Sequence, residues 1–151
     1  MSPSSRPRMT GIGRVLVIVY AIMALAATGR SFVQIVQRFD EAPLAYALSA
    51  ASALVYVLAT LALVFAGSKG WYLTAWVAIC FELAGVLVIG TLSLLLPALF
   101  EHPTVWSWFG MGYLFVPLVL PFFGIWWLVT HPPAAATAAS PTDADTAAVA
   151  S

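Results

Sequence analysis

The chain has 151 residues, of which 62% are hydrophobic and 8% charged, and its mean hydropathy is +0.98. Soluble domains are roughly half apolar and about a quarter charged, and disordered chains need low hydrophobicity with high net charge, so both classes are excluded. Six basic residues balance six acidic ones, which leaves no basic surface to hold nucleic acid.

What remains is an integral membrane protein, all-α, read as an antiparallel four-helix transmembrane bundle with disordered ends. Residues 1–10, MSPSSRPRMT, are polar and basic and form a disordered lead-in. The first apolar run, Val15 to Gly29, lies between Arg14 and Arg30. It would reach only about 22 Å against a hydrocarbon core of about 30 Å. Snorkelling arginines lengthen the usable span, and the helical pattern continues through SFVQIVQRF, so the first helix is expected near 12–37. A cleaved signal peptide is the rival reading, because Ala24-Leu25-Ala26 imitates a cleavage site.

RFDEAP is a short polar connector, and Pro43 can open the next helix because its missing N–H costs nothing there. The uncharged stretch 44–66 makes a full second span, and GSKG (67–70) is a turn. The third helix is expected at 71–96, ended by Pro97. Residues 97–108 read as a loop or interfacial segment, and the fourth helix as 106–130, kinked by Pro117 and Pro121. The helical domain covers 11–131, and the Ala/Thr/Ser-rich stretch 132–151 is expected to be a disordered tail.

With the N-terminus inside, Arg6, Arg8, Arg14 and Lys69 are cytosolic while Arg30 and Arg38 are outside. That bias places both termini in the cytoplasm. Trp71, Tyr72, Trp126 and Trp127 would mark the inner interface, and Trp106 and Trp108 the outer one.

Glu82 is the most informative residue. It lies about 16 Å past Trp71, near the bilayer centre, where a charge costs at least ~2.5 kcal/mol, so it should be neutral, paired or wet. Ala75, Ala78, Glu82 and Gly85 share one face at spacings of three and four, a rhythm that lets helices approach closely. Glu82 is either a proton or substrate site or, the preferred reading, a hydrogen-bonded acid that holds the bundle together. The second helix carries a matching stripe, Ala45, Ser49, Ser52, Tyr56 and Ala59, and Tyr56 is the natural partner for Glu82. Arg30, with Gln34 one turn beyond, is either an outward-facing anion or lipid-headgroup site or, preferred, an interfacial anchor. A direct Arg30–Glu82 pair would need helix tilt or a bridging water.

Cys80 alone excludes an intrachain disulfide and, with His102 and His131, is too scattered for a structural zinc site. No metal or cofactor is implied. No Ser/His/acid constellation appears, so no enzymatic activity is expected. The alanine-rich composition, FDEAP running into LAYALSA, and the Pro/Ala/Thr tail resemble small four-span membrane proteins of actinobacteria over residues 11–131. The resemblance carries no motif of known chemistry and implies a bacterial inner-membrane location. The leading expectation is an accessory or scaffold subunit whose partners are the bilayer and other membrane subunits or further copies of itself. The alternative is a small transporter or ligand-binding bundle built around Glu82.

Overall fold

The computed structural model describes residues 11–133. The segment 1–10 and, of the tail expected at 132–151, residues 134–151 lie outside them. Four α-helices follow one another: α1 (Gly11–Arg38), α2 (Pro43–Val64), α3 (Lys69–Leu95) and α4 (Val116–Thr130). There is no strand among the described residues. Short 3₁₀ turns occupy Phe39–Glu41, Pro97–Phe100 and Ser107–Tyr113.

The boundaries follow local chemistry. Pro43 opens α2 at a position where no N–H is needed. Leu95 ends α3, because Leu96 precedes Pro97 and the proline ring excludes the helical conformation for its neighbour. Inside the helices, Ser49, Thr60, Thr74, Thr91 and Ser93 each donate the hydroxyl to the carbonyl four residues back. The hydroxyls therefore need no water, as an apolar surrounding demands.

Three helices, α1 extended to Glu41, α2 and α3, are long and apolar enough to cross a membrane. The fourth run differs from its sequence expectation. It is not one helix over 106–130 but the turn 107–113 and α4, bent by 96°. α4 alone has 15 residues, about 22 Å, short of a core of about 30 Å. The two pieces together count as a fourth crossing only if they form one span. The bend is also not where Pro117 and Pro121 suggested. Pro117 sits in the first turn of α4 and Pro121 is carried inside it, while the chain turns between the two pieces at Leu114 (φ 56°) and Phe115 (φ 59°).

Left-handed backbone costs an L-residue with a side chain about 1–2 kcal/mol. Trp108 and Phe109 share it with Gly110, whose φ is +78°. Only at Gly110 is the conformation free of penalty. Leu114 is 88% exposed and buries almost nothing in return. Leu114→Gly should therefore raise stability by up to about 1 kcal/mol. A chemical or thermal melt in detergent reads this, and a clear loss of stability would place the strain elsewhere.

Packing is distributed in reverse of a soluble domain. Much of the interior is small: Ala27, Ala45, Ala59, Ala62, Ala75 and Ala78 are buried. Large side chains such as Leu25, Leu54, Leu73 and Leu95 point outward, each more than 60% exposed. Small residues let backbones approach closely where no hydrophobic force gathers the helices. The apolar helices and this apolar exterior suggest a membrane-embedded protein. α1 packs along α2, α2 along α3, and α3 against both 107–113 and α4. α1 and α4 touch far less, and a crevice of about 870 Å³ lies between them, walled by Val15, Leu16, Val19, Val119, Leu120 and Phe123 among others.

Candidate functional site

The buried stripes of α1, α2 and α3 meet at Glu82. The carboxylate has no solvent exposure, and Tyr20 and Tyr56 beside it have none either. The Tyr20 hydroxyl donates to Glu82 Oε2 at 2.8 Å. The tyrosine rings lie 6.3 Å apart at 45°. Trp106 closes the site from the loop before α4, its indole N–H donating to the Tyr56 hydroxyl at 3.2 Å.

The loop is built to aim Trp106 inward. Thr104 Oγ1 accepts from the backbone N–H groups of Trp106 and Ser107, and Ser107 Oγ accepts from the Thr104 N–H. This reciprocal pair satisfies a buried turn with its own hydroxyls. Trp106 reaches α3 because residue 85 is glycine: a Cβ there would stand 2.6 Å from the Trp106 ring. Gly124 plays the same part on α4, where a Cβ would lie 2.9 Å from Ile79 Cδ1 and 3.2 Å from the Tyr20 hydroxyl. Pro117 and Pro121 are both fully buried on α4.

The short hydrogen bond to Glu82 comes from Tyr20, and the Tyr56 hydroxyl, the expected donor, faces the same carboxyl as a second, weaker partner. Glu82 Oε1 has no partner. The Tyr56 hydroxyl accepts from the indole, so its own proton is free for a further acceptor. The stripe Ala45, Ser49, Ser52, Tyr56 and Ala59 is buried throughout. Ser49 and Ser52 turn their hydroxyls back to the carbonyls of Ala45 and Ser49, so neither offers a proton to the Glu82 site.

Arg30 does not approach Glu82. Its Nη2 donates to the carbonyl of Pro103 at 2.6 Å, and the one ion pair among the described residues joins Arg38 to Glu41 at 3.7 Å. Gln34 is part-buried, with Oε1 unpartnered. Cys80 is exposed on the outer face of α3. No group of three or more His, Cys, Asp or Glu side chains able to hold a metal ion occurs among the described residues.

Two site residues escaped the sequence reading. Counted from the helix ends expected at residues 12, 66 and 71, Tyr20 lies about 12 Å in, Tyr56 about 15 Å and Glu82 about 16 Å, so matching by depth selects Tyr56 and passes over Tyr20. The signal for Tyr20 was its place in the stripe Leu16, Tyr20, Ala24, Ala27 and Ser31, all buried. Trp106 looked like an interfacial aromatic, yet it is only 3% exposed. Its inward turn is held by the Thr104–Ser107 hydrogen bonds, which periodicity does not reveal.

As chemistry, the site is a sealed carboxyl with one donor and one open oxygen. Among the described residues no cluster of metal-ligating side chains stands beside it. No family model, curated protein or solved structure matches the chain.

Proposed function

We propose that the chain is a multi-pass protein of a bacterial inner membrane, an antiparallel four-helix bundle with cytoplasmic termini. It acts without catalysis, as an accessory or scaffold subunit. The resemblance to small four-span actinobacterial membrane proteins agrees with this location. The observation that carries the reading is the crevice between α1 and α4. The small-residue stripes of α2 and α3 are consumed inside the chain, so association must use another face.

The occupant we assign to the crevice is a membrane helix of a partner subunit. Gly11, Ile12, Val15, Leu16 and Val19 recur along α1 at helical spacing, and α4 supplies a facing wall of Val119, Phe122, Phe123 and Trp126. Such paired ridges leave a groove of the kind a third helix enters.

A photo-crosslinking residue at Val119 should capture one defined membrane subunit after gentle solubilisation. The same probe at Leu54, 71% exposed on α2, should not. With the probe kept at Val119, the double variant Ile12→Trp/Val15→Trp fills the groove from the α1 side and should abolish the adduct without lowering the thermal midpoint. Capture of lipid alone, or recovery only as a lone monomer, overturns the association reading.

A second reading rests on the open oxygen of Glu82: a small transporter or ligand-binding bundle with Glu82 as proton or substrate site. Glu82→Gln retains the acceptor for Tyr20 and removes titration. Full transport activity in that variant excludes proton coupling through Glu82.

A further inference from the structure

At the Arg38 end of α1, three polar side-chain atoms on a single turn are buried without any partner: Arg30 Nε, Ser31 Oγ and Gln34 Oε1. Ser31 as a whole is only 5% exposed. The Arg30 guanidinium makes one hydrogen bond, through Nη2 to Pro103 O. No carboxylate lies within ion-pair distance of it among the described residues. Glu41 is engaged with Arg38, and Glu101 is exposed on the loop.

The neighbouring loop adds one carbonyl acceptor and no negative charge at the guanidinium. Pro103 ties Arg30 to the loop, and His102, the residue before it, packs edge-on against Tyr46 of α2 with centroids 6.0 Å apart. α1, α2 and the loop thus converge around a cation without a counter-charge. A buried donor left unmade is costly. Arg presents its N–H groups in a planar fork suited to phosphate oxygens.

We propose that Arg30, Ser31 and Gln34, closed by the loop at Pro103, form a binding site for a phosphate anion. The phosphate arrives either as a lipid headgroup or as the free ion. The guanidinium gives the charge and the fork, Ser31 a hydroxyl donor, and Gln34 its amide, whose N and O are interchangeable by a flip. Arg30 and Gln34 are both part-exposed, so the turn is open to the bilayer surface while Ser31 lies behind it.

The test is the thermal midpoint of the full chain in neutral detergent. Phosphatidylglycerol is titrated against diacylglycerol, which lacks the phosphate, and inorganic phosphate against chloride at equal ionic strength. We expect a rise of several degrees with phosphatidylglycerol, with inorganic phosphate, or with both. A response to the lipid alone names the headgroup, and a response to inorganic phosphate names the free ion. Arg30→Gln should abolish the rise. If Arg30 only anchors the loop, Arg30→Gln lowers the starting midpoint but leaves the rise intact, which overturns the proposal. Should Arg30→Gln not fold, Ser31→Ala serves instead. It removes an unpartnered hydroxyl, leaves the starting midpoint unchanged or higher, and should cut the response at least by half. A full response in Ser31→Ala, or no response in the unaltered protein, also overturns the site.

Discussion

Gly85→Ala should lower the thermal midpoint of the purified protein, and Gly85→Leu should lower it much further. The added Cβ would stand 2.6–2.9 Å from three atoms of the Trp106 ring. That ring is the rigid part of a buried side chain, held by its bond to Tyr56 and an edge contact with Phe81. It has no flexible end to swing away. Overpacking of this kind costs about 1–3 kcal/mol. The opposing term is helix propensity, which favours Ala over Gly by at most about 1 kcal/mol. The clash wins, leaving a net loss of about 1–2 kcal/mol for alanine and about 3 kcal/mol for leucine. Gly29→Ala is the internal control. It sits within α1 with nothing within 4 Å of the new Cβ, so only the propensity term acts and the midpoint should rise. If the two alanine variants shift in the same upward direction, Trp106 does not occupy the notch.

The second large effect belongs to Glu82. Glu82→Leu is close in volume but leaves the Tyr20 hydroxyl, which has no solvent exposure, without its acceptor. An orphaned buried hydroxyl costs about 1–3 kcal/mol, whereas removing a buried carboxyl returns part of its desolvation cost. We expect a net loss of about 1–2 kcal/mol. Glu82→Gln should stay within about 0.5 kcal/mol, because an amide oxygen still accepts from Tyr20. The double-mutant cycle with Tyr20→Phe isolates the bond. Hydrogen bonds between membrane helices average about 0.6 kcal/mol and reach about 1.7 kcal/mol, so the coupling should fall in that interval. Strict additivity of Glu82→Leu and Tyr20→Phe would mean that the contact contributes nothing.

The two effects bear on one region. Gly85 stands one turn from Glu82 on α3, and Trp106 connects the pair through Tyr56. Neighbouring sites of this kind do not add independently. A Gly85 substitution that displaces Trp106 should also change the Glu82–Tyr20 coupling.

Much of the architecture was legible in the residues alone. Long uncharged apolar runs can satisfy their backbone only as helix in an apolar medium, and Pro43 and Pro97 punctuate them through rules that act within a few residues; the turn expected at 67–70 falls at 65–68, with Lys69 and Gly70 already opening α3. The burial of Glu82 followed from similar reasoning, since the small residues Ala75 and Ala78 share its face and a charge on the oily side is costly. The partner of that carboxyl was decided by tertiary structure. Tyr20 and Tyr56 both turn a hydroxyl to the carboxyl, and the stagger of α1 and α2 against α3 sets Tyr20 as the close donor. Trp106 is inward for a similar reason: the Thr104–Ser107 turn, the left-handed residues after it and the notch at Gly85 must coincide in space. Local periodicity and hydropathy carry burial and helix ends; they hold no record of how far one helix slides along another, which is set only when the side chains meet.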